Sequence, residues 1–546
     1  MIINSKAKTL KGSKILFNTL LELGIDTIFG YPGGIVLDVY DELHNQSDIK
    51  HILVRHEQSA VHAAEGYYRA TGKCGIVLVT SGPGATNTVS GIVNAYLDGS
   101  PLIVLTGQVF KNLIGKDAFQ EANICDITKS CTKAVFQVTS AADISSVLHQ
   151  AMDIAMSGKK GPVVVDLVKD IFSEVSEFST SFEAPKSNND NKILESSIGA
   201  LVDRIINSKK PVFVSGGGVI QAKAEDILLE IVSQTKIPVV DTMMGLGSFP
   251  QENSNYIGMI GVFGDNSANH ILKESDLIIS LGARFNDRIT CMFKDIDLSS
   301  KFIQIDINPN EISRNITASD YLVGDLREIL SRLSSRFYSN KINFEKWANS
   351  AIELKSKNII REKSSNMLHS FEVIRKINEY TKNSNVIFTS EVGQHQLWAV
   401  QNLTFNKNRR IFVSGGSGTM GFGLPAAIGA AVGDKKSSIV CIAGDGSFQM
   451  GIHELATCVD YNLDIKIMIL NNGYLGMVRQ LQQKLCDGRY SQTKISNPDF
   501  LTLAKSYGIN AERVSSNLEI ESALSKAFST KGPFIIDFIV EPVELL

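Results

Sequence analysis

One apolar run, Ser438 to Ala443, ends on Gly444-Asp445-Gly446-Ser447, and the next, Ile465 to Leu470, ends on Asn471-Asn472, which places Asn472 27 positions after Asp445. A carboxylate and an amide oxygen form the hard-oxygen pair that Mg²⁺ shares with phosphate oxygens. The glycines let backbone groups approach a diphosphate closely. If both runs are strands of one parallel sheet, their carboxyl ends open on a common crevice, where open α/β sheets hold ligands. Either motif alone reads equally well as a strand-end turn; the pair at this spacing points to a metal-bound diphosphate. Glu57, in Arg55-His56-Glu57-Gln58, ends another run and opens a helix, where a carboxylate is favoured by the helix dipole.

The elements that must position these residues repeat one rhythm, short apolar strands alternating with helical stretches, which is the α/β signature. Strands are predicted in the first third at 27–30, 51–54, 75–80, 101–105 and 162–166. The middle third has them at 211–215, 237–241, 277–281 and 302–307, and the last at 386–389, 411–414, 438–443, 465–470 and 534–540. Glu174 to Asn191, rich in Ser, Asn, Glu and Lys, reads as a surface linker, and the charged stretch Tyr338 to Asn366 as a second separator. No internal sequence repeat is detectable.

Three or four domains suit 546 residues at roughly 150 residues each. With 43% hydrophobic and 20% charged residues, the composition excludes disordered and collagen-like classes. A net charge of −3 gives no field for nucleic acid or anionic lipid. Seven cysteines without a C-x-x-C pair fit reduced thiols, with neither disulfides nor structural zinc. No apolar run approaches the roughly 20 residues of a membrane span, and no export signal precedes Gly12, so a cytoplasmic location is expected.

The Gly-Asp-Gly…Asn-Asn spacing matches the thiamin-diphosphate signature, and further segments extend the match. These are Tyr31-Pro32-Gly33-Gly34, Thr80 to Asn87, Asp117 to Glu121, Val165 to Asp170, Val392 to Gln396, Gly415 to Gly421 and Gly476-Met477-Val478. Together, from about Gly12 to Pro542, the chain resembles the catalytic subunit of acetolactate (acetohydroxyacid) synthase. The resemblance implies three doubly wound parallel-sheet domains: a pyrimidine-binding domain over 1–174, a flavin-type central domain over 192–337, and a diphosphate- and Mg²⁺-binding domain over 367–546. It implies decarboxylation of pyruvate on thiamin diphosphate and joining of the two-carbon product to a second pyruvate or 2-oxobutyrate, in branched-chain amino acid biosynthesis.

Residue by residue, the resemblance gives Glu57 the proton at N1′ of the aminopyrimidine, for which apolar neighbours would raise its pKa above the roughly 4.3 reference. Pro83 and Asn87 would flank the cofactor. Gln394, His395, Gly444, Asp445, Gly446, Ser447, Gly476 and Met477 would hold the diphosphate end. Asp445, Asn472 and the carbonyl of Tyr474 would ligate Mg²⁺. Met420 would wedge the cofactor into its bent shape and the Gly418 carbonyl would accept from its amino group. Gln120 and Lys169 would line the substrate pocket, although a lysine after a strand is otherwise a solvated charge.

In the middle third, Gly216, Gly217, Thr242, Gly282, Arg284, Asp287, Arg288, Asp306 and Asp325 resemble a structural FAD site. Two departures bear on it: Phe263 stands where the family has a histidine, and Lys159 where it has an arginine. Leu481 replaces the tryptophan associated with 2-oxobutyrate preference. A homodimer or homotetramer with sites between chains is implied, and the family commonly adds a separate regulatory small subunit. The competing readings are another thiamin-diphosphate 2-oxoacid decarboxylase or carboligase, a flavin-free catabolic acetolactate synthase, and a non-catalytic homologue, the last disfavoured by retention of Glu57, Asp445 and Asn472.

Overall fold

The computed structural model describes residues 8–178, 195–294, 297–340, 342–356 and 367–546. Three six-stranded sheets carry it. The first runs Lys50–Leu53, Thr27–Gly30, Gly75–Val79, Leu102–Gln108, Val163–Val168, Ala134–Val138, with every pairing parallel. Its central strands, such as Gly75–Val79 and Leu102–Gln108, are buried along their whole length, as apolar strands covered on both faces must be. The third runs Arg409–Val413, Val386–Ser390, Ser438–Gly444, Ile465–Asn471, Phe534–Ile539, Asn510–Val514. Counted from their own first strands, these two sheets share the order 2-1-3-4-6-5.

The middle sheet is built differently. Its strands Tyr256–Met259, Val239–Asp241, Pro211–Ser215, Leu277–Leu281, Phe302–Asp306 and Asp320–Val323 lie in the order 3-2-1-4-5-6, all parallel. The chain divides into two compact units. One comprises Met1–Asn188, Ile387–Gln396 and Phe412–Val543 and holds most of the first and third layers; the other comprises Asn189–Val386, Leu397–Ile411 and Glu544–Leu546.

Within the first unit, helix Glu57–Thr71 packs on helix Gly423–Gly433 through a seam of small residues. A Cβ on Gly66 would come within 2.1 Å of the Ala426 carbonyl oxygen, and one on Gly429 within 1.8 Å of the Ala63 oxygen. Only glycine lets the backbones approach so closely. Helix Glu57–Thr71 is consequently buried from Ser59 to Tyr68, His62 and Glu65 included.

Several sequence expectations are corrected. The stretch read as linker from Glu174 begins as a strand, Val175–Phe178, paired antiparallel with Lys8–Lys11; four residues are too few to display a period. Its remainder, 179–191, lies outside the described residues. The separator from Tyr338 is partly helical: helix Leu326–Asn340 runs through Tyr338, and Glu345–Ser356 is a further helix. Trp347 and Ala351 of that helix are buried, and Trp347 Nε1 donates to the Pro211 carbonyl at 2.9 Å. Residues 357–366 lie outside the described residues. Four strands of the six-stranded sheets escaped the pattern, Ala134–Val138, Tyr256–Met259, Asp320–Val323 and Asn510–Val514, and all four are sheet edges. Three of them are partly exposed and take polar residues that interrupt an apolar run; Tyr256–Met259 is buried throughout but short and broken by Gly258. All seven cysteines are free, and among the described residues no helix is long and apolar enough to cross a membrane.

Candidate active site

Each sheet has a point where the strand order changes direction, between Thr27–Gly30 and Gly75–Val79, between Pro211–Ser215 and Leu277–Leu281, and between Val386–Ser390 and Ser438–Gly444. The loops leaving these strand pairs are the segments singled out in the sequence: Tyr31-Pro32-Gly33-Gly34 with Thr80 to Asn87, Gly216-Gly217-Gly218 with Gly282, and Val392 to Gln396 with Gly444 to Ser447. Ligands bind α/β sheets at such switch points because the two loops diverge to opposite faces and leave a crevice.

The third layer brings the metal and diphosphate candidates together. Asp445 is 2% exposed, and its Oδ2 accepts from the Gly473 N–H at 2.8 Å and from Asn497 Nδ2 at 2.7 Å. Burial pushes its carboxyl up, against the pull of those donors. Asn472 Oδ1 accepts from the Tyr474 N–H at 3.0 Å, closing a turn that brings the Asn472 amide and the Tyr474 backbone to one place. Gln394 Nε2 donates to Gln480 Oε1 at 2.7 Å. A Cβ on Gly476 would lie 2.1 Å from Gln394 Oε1 and 2.9 Å from Asn472 Nδ2, so this loop is glycine because polar side chains crowd it.

His395 is buried, which lowers its pKa to about 4, and its Nε2 has no hydrogen-bond partner among the described residues. A Cβ on Gly444 would meet its ring at 2.7 Å. A neutral imidazole with an open nitrogen, backbone free of side chains at Gly444 and Gly446, and hard oxygens at Asp445, Asn472 and Tyr474 form a donor set that fits thiamin diphosphate with Mg²⁺. Gly418 is left-handed, φ +65°, and Met420 is half-buried two residues on. Met477 is half-buried in the first turn of helix Gly476–Leu485.

In the first layer, His56 caps helix Glu57–Thr71, its Nδ1 accepting from the Gln58 N–H at 3.1 Å. Glu57, half-buried rather than enclosed by apolar groups, accepts from Asn87 Nδ2 at 2.9 Å. Pro83 opens the short helix Pro83–Thr86 beside it. Gln120 has φ +59°, with its backbone against Gly82, whose Cβ would lie 2.7 Å from the Gln120 oxygen. Lys169 is ion-paired with Asp38, so its charge is not free for solvent alone.

The middle layer accounts for its glycines by packing. A Cβ on Gly216 would meet the Gly282 oxygen at 2.2 Å, and one on Gly218 the Gly282 Cα at 2.7 Å. Gly282 itself has φ +60°. Thr242 donates its N–H to the Ser215 oxygen at 2.9 Å and starts a short turn. Asp306 Oδ1 accepts from the Asn308 N–H at 2.9 Å, Asp325 Oδ1 from the Glu328 N–H at 3.1 Å, and the Arg284 carbonyl from Asn315 Nδ2 at 2.9 Å. Arg288 and Asp287 form an exposed pair at 3.4 Å. Two touching glycine loops at the switch point fit a dinucleotide pyrophosphate, and the exposed Arg288 follows Gly282 by six residues in the chain.

Three features were missed in the sequence. Glu391, 1% exposed, accepts from Ser447 Oγ at 2.7 Å and the Gly423 N–H at 2.8 Å, and burial raises its carboxyl to about 7. Asn497 steadies Asp445 and also donates to Asn471 Oδ1 at 2.9 Å. A buried group, Glu65, Arg69, Asn94 and Asp98, contacts the loop that carries Gly418. The available signal was charge inside apolar stretches, as at Glu65 in His62-Ala63-Ala64-Glu65-Gly66.

Comparison with known proteins agrees with this geometry. Residues 10–128 match the thiamine pyrophosphate enzyme N-terminal TPP binding domain, 198–333 the central domain, and 391–538 the C-terminal TPP binding domain. The acetolactate synthase large subunit of Haemophilus influenzae is 40% identical over 98% of this chain and 96% of its own length. That of Lactococcus lactis is 40% identical over 98% and 94%, and the isozyme 3 large subunit of Escherichia coli 40% over 95% and 92%. With three TPP-enzyme layers in order and near full-length relatives of one kind, the chain belongs to the acetolactate synthase large-subunit family of thiamine pyrophosphate enzymes.

Proposed function

We propose that the chain is the catalytic subunit of an acetolactate synthase, taking pyruvate as donor and a second pyruvate or 2-oxobutyrate as acceptor. The observation that carries this reading is the pairing of Glu391–His395 with Gly444–Ser447 at one switch point, with Asp445 buried between backbone and amide donors. Thiamin diphosphate, when bound, supplies the electron sink that a 2-oxoacid needs to lose CO₂. The chain supplies binding, metal ligation and proton control. Asp445, Asn472 and the Tyr474 carbonyl would hold Mg²⁺, while Gln394, His395, Gly444, Gly446, Ser447, Gly476 and Met477 would surround the diphosphate. Gly418 and Met420 would orient the pyrimidine, flanked by Pro83 and Asn87, and Glu57 would hold and release the proton at its N1′. Asn87 donates to the Glu57 carboxylate and fixes its orientation. Gln120 and Lys169 line the substrate pocket.

Glu57 and Asn87 lie in the first layer and the Mg²⁺ ligands in the third, and the active unit is a homodimer in which Glu57 of one chain meets the third layer of the other. The boundaries 1–174, 192–337 and 367–546 separate the pyrimidine, flavin and diphosphate domains. FAD would be held in the middle layer by Gly216, Gly217, Thr242, Gly282, Arg284, Asp287, Arg288, Asp306 and Asp325, with no redox duty, because the reaction transfers no net electrons. The "large subunit" in the relatives' names supports a separate small regulatory subunit, and free cysteines throughout support a cytoplasmic location.

The test is to incubate purified protein with thiamin diphosphate, Mg²⁺ and pyruvate and to quantify acetolactate against acetaldehyde. Acetolactate is expected to dominate; acetaldehyde as main product overturns the assignment. A colourless protein that gains nothing from added FAD removes the flavin.

A further inference from the structure

We infer that Glu65, Arg69, Asn94 and Asp98, all in the first layer, are positioning residues for the Gly415–Thr419 loop of their own chain, so that helix Glu57–Thr71 serves two different cofactor sites. This rests on the proposed reading that Glu57 completes the partner chain's site.

The loop from Ser414 to Thr419 is fixed from the first layer at both ends. Asp98 accepts from the Gly415 N–H through Oδ2 at 2.9 Å and from the Gly416 N–H through Oδ1 at 2.7 Å. Asn94 Oδ1 accepts from Ser414 Oγ at 2.5 Å and from Thr419 Oγ1 at 3.3 Å, and Ser414 Oγ accepts in turn from the Thr419 N–H at 2.7 Å. Behind these, Glu65 accepts from Asn94 Nδ2 at 2.7 Å and Ser100 Oγ at 2.9 Å. Arg69 joins Glu65 at 2.5 Å and Asp98 at 2.9 Å, and donates to the Val413 carbonyl at 2.8 Å. Its guanidinium lies over the Phe422 ring, 5.6 Å from the centroid, just beyond the far end of the loop.

Glu65 and Asn94 are fully buried, and Asp98 is 7% exposed. Burying two carboxylates and a guanidinium is a poor way to gain stability alone, since apolar residues of equal volume commonly do as well. What this group adds is direction. Backbone N–H groups outside a helix or sheet need partners; Asp98 supplies them to Gly415 and Gly416, and Asn94 holds the Ser414 hydroxyl that in turn accepts from the Thr419 N–H, at the stretch that presents the Gly418 carbonyl and Met420. The loop's tip stays open: Gly416 and Ser417 are exposed.

Glu57 and Glu65 are eight residues apart, roughly 12 Å along the helix at 1.5 Å per residue. Glu57 therefore acts on one cofactor while Glu65, Arg69, Asn94 and Asp98 shape the seat of another. Asp98 belongs functionally with Asp445 of its own chain, although it lies in the same layer as Glu57.

Mixed dimers of differently tagged chains test this, assayed at a thiamin diphosphate concentration equal to the unsubstituted protein's Kd. Glu57→Gln paired with Asp445→Asn regains about half the unsubstituted activity, one intact site of two. Glu57→Gln paired with Asp98→Asn regains activity likewise, whereas Asp98→Asn paired with Asp445→Asn does not. The Asp98→Asn homodimer binds thiamin diphosphate, followed by quenching of tryptophan fluorescence, about tenfold more weakly, with the melting temperature of the cofactor-free protein shifted by no more than a few degrees. Should Asp98→Asn fail to give soluble dimer, Asn94→Ser is read the same way. Recovery in the Asp98/Asp445 pair but not in the Glu57/Asp98 pair overturns the inference, as does unchanged cofactor affinity. No recovery in the Glu57/Asp445 pair overturns the two-chain site itself, and the inference with it.

Discussion

Ser447, the last residue of the Gly-Asp-Gly-Ser turn, donates its hydroxyl proton to the buried Glu391, Oγ to Oε1 at 2.7 Å. The other carboxylate oxygen accepts from the first N–H of helix Gly423–Gly433 at 2.8 Å. Glu391 thereby links the Gly-Asp-Gly-Ser turn to the helix that seats the first layer. Burial raises its pKa from 4.5 to about 7. Between those values the folded chain keeps a proton that the unfolded chain has lost, so the stabilisation is complete below about pH 4.5 and is lost as pH rises through 7. At 1.36 kcal/mol per pK unit the swing is about 3 kcal/mol. The stability of the cofactor-free protein relative to Glu391→Gln should fall by about that amount from pH 5 to pH 8; parallel denaturation curves at the two pH values would rule this out.

Replacing Glu57 by Gln removes the proton but preserves shape. Acetolactate turnover should drop by about 10²- to 10⁴-fold, the worth of a general acid/base, with thiamin diphosphate affinity little changed. A turnover number within threefold of the unsubstituted enzyme would exclude the proton role.

Asn497 touches Asp445 without being a proposed ligand. Because groups that orient a metal ligand typically matter by 10- to 100-fold in affinity, Asn497→Ala should raise the Mg²⁺ concentration for half-maximal activity by about that factor while saturating Mg²⁺ restores the rate. An unshifted Mg²⁺ titration would count against Asp445 as a ligand.

Trp347 ties helix Glu345–Ser356 to the middle sheet. Truncating a buried tryptophan costs about 3–5 kcal/mol, so Trp347→Ala should lower the denaturant midpoint of the second unit, followed through Trp398, the other of the two tryptophans. An unaltered midpoint would mean the helix is no part of that core.

The sequence was most legible where burial is complete. Runs such as Leu277–Leu281 and Ile465–Asn471 are apolar because both faces are covered, and their turns, Gly282 and Gly444 to Asn472, name themselves. Legibility failed at edges such as Asn510–Val514, whose pattern of exposure admits Asn, Glu and Arg. It failed also for Arg69, Asn94 and Asp98, because their partners at 413–419 lie more than 300 positions away. No local spacing reveals such a pairing. The middle glycines were ambiguous for a related reason: Gly216, Gly218 and Gly282 make room for one another, a requirement indistinguishable, in one dimension, from making room for a ligand.

The seam between helices Glu57–Thr71 and Gly423–Gly433 has a consequence during synthesis. The two halves of that contact are separated by about 350 residues of chain, which a ribosome working at roughly 5–20 residues per second needs about 20 to 70 s to make. For that interval the Ala63, Gly66 and Tyr67 face, whose neighbours are Ala426, Gly429 and Gly433 of the later helix, emerges without the surface it was shaped for, while the middle layer can already close on its own strands. The nascent chain therefore presents an uncovered helix to its surroundings, and chaperone binding during translation should concentrate on that first layer and end once residue 433 has left the exit tunnel.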